Sequence, residues 1–447
     1  MASTVPWEDM NEISERKRDN RMIGHITKAI CIEQLVRTTK ELFGGRRFTV
    51  EDRVRPFVPS TSANILNSRA LGGAVGAVVD SPSLMRGLRG DDLVVYSAVG
   101  SEEHIEDESE VTRWNIDVGR LNERFRTLYW RIARRALFEP SYVIPVALAE
   151  ALKVRVISKG PPYLYTALQP LQKFMWRVLK EHPAFHLIGN PITARYIHDR
   201  MGANLPDGEI YLSGDYKAAT DNLRPWVSNT IACTIADECG LDEVEKRLFL
   251  RSLTGHSFML NGELLTQKNG QLMGSVTSFP VLCLANAAMC RFAMEESTGR
   301  KWTLADCRIA VNGDDVLMRG PRVLEHAWRA CTSFIGLTES VGKTYFSRIF
   351  CEMNSALFLR IEAVMETDPS SGVQRPLCFR RVEQINYGLI SGQKRSAAHG
   401  ASGDMLSGLG ARARRLWEEC PEECRGPVMK RFLNRNWELL SALGVPW

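Results

Sequence analysis

Residues Arg308–Gly320 read RIAVNGDDVLMRG, and this stretch decides the fold. Two apolar runs, Ile309-Ala310-Val311 and Val316-Leu317-Met318, flank Asn312-Gly313-Asp314-Asp315. Asn-Gly between apolar runs is the strongest short-range signal for a β-hairpin. The spacing therefore predicts a hairpin with two adjacent carboxylates at its tip. Such a pair repels itself unless cations neutralise it, and hard, oxygen-seeking Mg2+ suits these donors. Asn, Gly and Asp are also ordinary turn residues, so the stretch alone fits a surface turn equally well. Residues elsewhere in the chain tip the balance.

One of them lies in LSGDYKAATDNL, Leu212–Leu223. A strand over 210–215 delivers Asp215 at its C-terminal edge, and a helical region follows from about 222. Asp221 falls near the start of that region, where an anion is favoured; helix capping is the plain alternative for Asp221 and Asn222. One Asp from a strand and two from a neighbouring hairpin can ligate two Mg2+ ions, which clamp the attacking and leaving oxygens of an in-line phosphoryl displacement. Between these segments lies GQLMGSVTSFPVLCLANAAM, Gly270–Met289. A Gly/Ser loop before a buried helix lets backbone approach a ligand closely. Ser278 and Asn286, eight residues apart, share roughly one helix face and could bond a ribose.

At 447 residues the chain is too long for one ordinary core, so two or three subdomains are expected. It is 44% hydrophobic and 24% charged, the composition of a globular protein. The net charge of +5 is too small to indicate nucleic acid by itself. Eleven scattered Cys lack any disulfide framework, which points to a reducing compartment, and Cys420 and Cys424 read as two structural thiols. The opening MASTVPWEDMNE is too polar and acidic for a signal peptide. The uncharged run Asn269–Cys290 reaches membrane length but is too polar for a lipid-facing helix.

Along the chain, residues 1–55 mix charges of both signs, with a basic cluster at Arg16, Lys17, Arg18 and Arg21, and suggest a flexible or peripheral start. Acidic residues between Glu102 and Glu110 suggest a solvated loop. Val118, Leu121, Phe125, Leu128 and Ile132 recur at helical spacing, so 117–137 should be an amphipathic helix whose arginine-rich face meets solvent. LKVRVISK, Leu152–Lys159, alternates with period two; as a strand it sets Lys153, Arg155 and Ser158 near one side and apolar groups on the other. A second Asn-Gly hairpin is expected at Asn261-Gly262. Beyond about 366 the chain turns helical and basic, with 12 Lys/Arg against 7 Asp/Glu over 375–447 and a Gly-rich, mobile-looking loop over 388–410.

In order, these segments resemble the motifs of viral RNA-dependent RNA polymerases. LKVRVISKG resembles motif F, GDYKAATDNL motif A, GQLMGSVTSFPVLCLAN motif B and NGDD motif C. GLTESVGKTYFSR (Gly336–Arg348) resembles motif D, and CEMNSALF (Cys351–Phe358) motif E. PSTSAN with Arg69 and Gly72-Gly73 resembles a template-side element, motif G. The wording is closest to the ourmia-like viruses, or botourmiaviruses, related to narnaviruses and RNA-phage replicases. Six motifs in the right order over about residues 56–360 make the likeness specific.

The resemblance implies an α+β right-hand polymerase: a palm of antiparallel sheet backed by helices, fingers, and a helical thumb. Expected boundaries are 1–145 for an N-terminal extension with part of the fingers and 146–208 for fingers with the basic motif F strand. The palm would take 209–360, with a short fingers insertion near 241–268, and a basic thumb 361–447. The activity implied is RNA-directed RNA polymerase, a nucleotidyltransferase replicating a positive-strand RNA virus genome with two Mg2+ ions, for which Mn2+ can substitute. By resemblance Asp215, Asp314 and Asp315 hold the metals. Lys153, Arg155 and Lys159 meet the incoming triphosphate, and Asp221, Ser278 and Asn286 sense the ribose. Lys343 protonates pyrophosphate, and Ser62, Arg69, Gly274 and Ser275 contact template. RNA template, nascent RNA and nucleoside triphosphates are the implied partners, together with host factors that the sequence does not reveal. The host-cell cytoplasm is the expected location, with mitochondria the alternative. The chain is shorter at its N-terminus than many relatives, so initiation is expected to be supplied differently.

Two rivals share features. A reverse transcriptase has the same metal logic, but Gly313 before the Asp pair and the polar Asp221 and Asn286, suited to a 2′-hydroxyl, argue against it. A non-catalytic RNA-binding protein with a decayed palm is disfavoured by intact carboxylates at all three metal positions.

Overall fold

The computed structural model describes residues 26–55, 57–88, 94–97, 113–116, 118–150, 153–367, 372–385, 387–391 and 409–442. Helix α1 (Lys28–Phe43) is followed by short helices α2 (Val50–Val54), α3 (Gly73–Val79) and α4 (Pro82–Met85), then a ribbon of β1 (Val94–Ser97) and β2 (Arg113–Ile116). The long helix α5 (Val118–Phe138) and a second ribbon, β3 (Ile144–Glu150) with β4 (Lys153–Lys159), lead into α6 (Pro162–Ala167), α7 (Gln169–Lys180) and α8 (Ala194–Met201). Next come β5 (Glu209–Gly214), α9 (Ala219–Asn222), α10 (Pro225–Cys239), α11 (Glu243–Leu253), and the hairpin β6 (Ser257–Leu260) and β7 (Glu263–Thr266). Helix α12 (Ser278–Thr298), strands β8 (Ile309–Asn312) and β9 (Asp315–Pro321), and α13 (Leu324–Phe334) follow. Strands β10 (Tyr345–Ser347), β11 (Phe350–Met353), β12 (Ala356–Thr367) and β13 (Gln374–Arg381) precede α14 (Tyr387–Ser391), α15 (Leu409–Glu419), α16 (Arg425–Arg435) and α17 (Trp437–Ala442).

The two apolar runs around Asn312-Gly313 form the expected hairpin, with Asn312 opposite Asp315 and Val311 opposite Val316. The hairpin joins β5 and β10 in an antiparallel sheet of order β10-β5-β9-β8. Alternation divides the sheet into two apolar faces. Leu212, Ile309, Val311, Val316 and Met318 pack against α12 and α13, and Tyr211, Ala310 and Leu317 pack against Cys351, Met353, Phe358 and Phe379 of the β11-β12-β13 sheet. Cover on both faces explains why these strands read as continuous apolar runs.

Helix α12 is apolar all round because it is enclosed; Val281, Cys283–Ala285, Ala287–Cys290 and Ala293 are all fully buried. One of its neighbours is α1, so the N-terminal part is not wholly peripheral as its mixed charge suggested. Arg291 of α12, fully buried, pairs with Glu41 and bonds the Thr38 hydroxyl at 2.6 Å, and Arg37 reaches Glu295 at 2.7 Å. The basic cluster at 16–21 and the acidic stretch at 102–110 lie outside the described residues. Among the described residues no helix is long and apolar enough to cross a membrane. All eleven cysteines are free thiols.

Three further expectations change. The arginine face of α5 is only partly solvent-facing: Arg131 donates to the carbonyls of Leu84 and Arg86 at 2.9 and 2.6 Å. In β4, alternation puts Ser158 with Val154 and Val156, opposite Arg155, and both valines are exposed. The chain beyond 366 does not turn directly helical, because β12 runs to Thr367 and β13 pairs with it before α14 begins at Tyr387. Of the Gly-rich loop, 392–408 lie outside the described residues. The second Asn-Gly hairpin is present, with Asn261 and Gly262 both at positive φ as a type I′ turn requires.

A buried ion pair ties α2 to α11. Glu245 caps its own helix by accepting from the Asp242 amide at 3.0 Å, and it receives Arg53 at 2.5 Å, with the two side chains 5% and 12% exposed. Glu245→Ala leaves the guanidinium buried and unpaired, so unfolding free energy should fall by about 3–5 kcal/mol. Chemical denaturation measures this; a loss under about 1 kcal/mol would show a solvated pair.

Candidate active site

The Gly313-Asp314 turn is held from several sides. Gly313 lies at φ +71°, and a Cβ there would stand 2.9 Å from the Phe279 ring, so both the conformation and the space call for glycine. Its amide donates to Cys283 Sγ at 3.2 Å, and its carbonyl accepts from Asn286 Nδ2 at 3.0 Å. Asn286 Oδ1 in turn accepts from the Tyr216 hydroxyl at 2.8 Å, and that hydroxyl accepts from Trp328 Nε1 at 3.0 Å. Asn312 Nδ2 donates to Asn354 Oδ1 at 3.0 Å. The carboxylate tip is thus fixed by α12, β5, α13 and the β11-β12 turn.

Asp215 stands directly after β5, wrapped by the segment 338–344. Its carbonyl accepts from the Ser340 amide at 2.8 Å, and its carboxylate lies 3.2 Å from Lys343 Nζ. Asp215 and Asp314 face one cavity of about 630 Å3, also lined by Arg155, Asp221, Gly274, Ser275, Ser278 and Lys343. Val154, Val156, Phe279 and Leu282 supply its apolar walls. Gly274, at φ +123°, brings the loop against β4: a Cβ there would sit 2.4 Å from the Ser158 carbonyl oxygen. The Ser278 hydroxyl is buried with no partner, a polar atom aimed at a ligand site.

The electrostatics follow from crowding of like charges. Desolvation raises the Asp314 carboxyl, and the Asp215 charge adds to it, while Arg155 and Lys343 oppose. Asp315 is pushed up to about 7 by desolvation and by Asp314, Asp215 and Glu352. Asp221 is raised by partial desolvation. The donors are hard oxygens of the kind Mg2+ takes. Among the described residues, no three His, Cys, Asp or Glu side chains stand close enough to hold an ion as they are; the Lys343 ammonium occupies the flank of Asp215 instead.

Eight of the residues singled out from the sequence therefore meet at one cavity. The others do not. Asp315 stands at the turn but is not part of the lining. Asn286 is fully buried and bonded to Gly313 and Tyr216, so it holds the turn rather than opening to a ribose. Lys159 ends β4 away from the lining, and the Lys153 side chain lies outside the described residues. Ser62 and Arg69 are exposed on a loop that docks to β4 through the Ile65 amide and the Gly160 carbonyl, 3.2 Å apart. Asp221 and Asn222 make no side-chain cap to α9. Sequence reasoning missed Tyr216, although it lies inside a motif segment quoted above.

No family model matches the chain. The RNA-dependent RNA polymerase of Ourmia melon virus (isolate Melon/Iran/VE9) is 35% identical over 308 residues, covering 64% of this chain and 35% of that protein. The match thus spans about a third of the length of this curated relative. Among solved structures, the RNA-dependent RNA polymerase of a human picorbirnavirus superposes with a TM-score of 0.52 at 12% identity, covering 68% of this chain and 57% of that one. Its insertion-loop deletion mutant gives 0.50 at 13% identity, covering 68% and 59%. The chain has the right-hand polymerase fold of these viral enzymes, and its sequence likeness is to the RNA-dependent RNA polymerase of an ourmia-like virus.

Proposed function

We propose that this chain is an RNA-directed RNA polymerase that replicates a positive-strand RNA virus genome in the host-cell cytoplasm. The observation that carries the reading is the meeting of Asp215, Asp314, Lys343, Arg155, Asp221 and Ser278 around one cavity at a rigid turn. Asp215, Asp314 and Asp315 would hold two Mg2+ ions, or Mn2+ in their place. Bound there, the ions would neutralise the carboxylates and activate the attacking oxygen for in-line displacement. Arg155, with Lys153 and Lys159 at alternate positions of β4, would pair with the triphosphate. Asp221 and the unpartnered Ser278 hydroxyl would meet the ribose. Ser62 and Arg69, with Gly274 and Ser275, would meet the template strand.

Purified protein given a primed RNA template, nucleoside triphosphates and Mg2+ should extend the primer, and Asp314→Asn should abolish extension while the protein still melts cooperatively. Extension by folded Asp314→Asn protein at the wild-type rate would remove the cation assignment.

Sugar choice separates two residues. Asp221→Ala should shrink the preference for ribo- over deoxynucleotides by about tenfold or more, since a hydrogen bond to a charged group contributes roughly 1.5–3 kcal/mol. Asn286→Ala should slow both sugars alike and lower stability by about 1–3 kcal/mol, because it unpairs the Gly313 carbonyl and the Tyr216 hydroxyl. An unchanged ratio in Asp221→Ala would leave that carboxylate without a sugar role.

Lys343 would protonate the leaving pyrophosphate once it parts from Asp215. Lys343→Arg should keep nucleotide binding but slow single-turnover incorporation by about 10²–10⁴-fold, since Arg hardly gives up a proton. Lys343→Leu should be at least as slow, and the solvent deuterium effect should shrink in both. Wild-type rates for Lys343→Arg, where chemistry is limiting, would make Lys343 a point charge only.

A further inference from the structure

The loop over 270–277 lines the nucleotide cavity through Met273, Gly274 and Ser275. At its start, the Gly270 and Gln271 amides donate to the carbonyls of Leu223 and Thr220, at 2.9 and 2.7 Å. Toward its end, the Ser275 hydroxyl donates to the Ser252 carbonyl of α11 at 2.5 Å, and the Thr277 and Ser252 hydroxyls lie 2.7 Å apart. Its middle is held by β4, another wall of the cavity. Ser158 faces Pro145 of β3 in the ribbon, and its amide is given to the loop, donating to the Met273 carbonyl at 2.8 Å. The Ser158 hydroxyl donates to the same carbonyl at 3.1 Å.

This double grip joins two cavity walls that belong to distant parts of the chain. Three residues before Ser158, Arg155 lines the cavity, and its Nη1 reaches Met273 Sδ at 3.7 Å. On the loop side, Gly274 leaves room for the approach, since a Cβ there would stand 2.4 Å from the Ser158 carbonyl oxygen. The β3-β4 ribbon needs such lateral support, because two strands alone are marginally stable. Its other backbone ties sit at its base: the Gly160 carbonyl accepts from the Ile65 amide at 3.2 Å, and the Val143 amide donates to the Ser257 carbonyl at 2.9 Å. Those ties fix where the ribbon starts. The Ser158 contact fixes how closely its cavity side approaches the loop.

We infer that Ser158 is a positioning residue for nucleotide binding: its hydroxyl and amide clasp the Met273 carbonyl and set the gap between Arg155 and the Gly274-Ser275 loop. The inference rests on the polymerase reading above. Ser158 acts through its neighbours. With the clasp closed, the cation of β4 and the loop face a nucleotide at fixed separation. With the hydroxyl gone, the remaining amide bond lets the two walls part, and binding must restore the gap each time.

Two variants of equal shape test this on the full chain, Ser158→Thr, which keeps the hydroxyl, and Ser158→Val, which lacks it. In primer extension with each nucleoside triphosphate varied, Ser158→Val should raise KM by about 3–10-fold, the effect of one neutral hydrogen bond, with kcat little changed. Ser158→Thr should keep the wild-type KM. Hydrogen–deuterium exchange of the chain without RNA or nucleotide should be faster over residues 272–277 in Ser158→Val and unchanged in Ser158→Thr. Both variants should melt at the wild-type temperature. A wild-type KM in Ser158→Val overturns the inference, as does unchanged exchange over 272–277. An equal rise of KM in both variants also overturns it, since added bulk and not the lost hydroxyl would then be the cause. So does a lower melting temperature of Ser158→Val with KM unmoved, which marks a merely structural serine. If the wild type extends primers and Ser158→Val matches it in KM, only this inference fails. If the wild type extends none, the polymerase reading fails and takes this inference with it.

Discussion

Three carboxylates can be kept at one end of a sheet only if the backbone that carries them cannot retreat. Left free, the Asp314-Asp315 turn would relax away from Asp215, since each charge raises the others' free energy. The Asn286 amide prevents this by holding the Gly313 carbonyl from within α12, with Tyr216 and Trp328 completing the hydrogen-bond chain. Such a polar chain inside an apolar core is worth having only when every member is satisfied, as these are. The adjoining packing is equally unforgiving. A side chain at Gly214 would run into Trp328 and Val316, at 2.7 and 2.8 Å.

The central sheet gains its rigidity from burial on both faces, and chemistry is confined to its open end. Helix α12 links the two. Its body is core, while its first turn presents Ser278, Phe279 and Leu282 to the cavity. Loss of packing along α12 would therefore reach the site through Asn286 and Cys283, without any change in the residues that meet a nucleotide. Lys343 Nζ, 3.2 Å from the Asp215 carboxylate, supplies a counter-charge that offsets part of the repulsion among the carboxylates.

Local pattern revealed much of this. Both Asn-Gly hairpins, the strand before Asp215 and the long amphipathic helix could be read because turn chemistry and periodicity are properties of short windows. Depth could not be read. Spacing puts Ser278 and Asn286 on one face of α12, but eight residues are about 12 Å along the axis, which carries Asn286 out of the cavity and under the turn. Strand β13 was hidden because QRPLCFRR mixes charge with proline, which an edge strand tolerates. Helix α1 was hidden because its charges are consumed in long-range pairs such as Arg37–Glu295.

Diffraction from crystals soaked in Mn2+, with the anomalous signal located, tests the central claim most directly. A cation site at this turn gives a peak about 2.0–2.3 Å from carboxylate oxygens of both Asp215 and Asp314, with Lys343 moved off Asp215. Lys343 still paired to Asp215, with the Mn2+ signal absent from this turn or bound elsewhere, would contradict it.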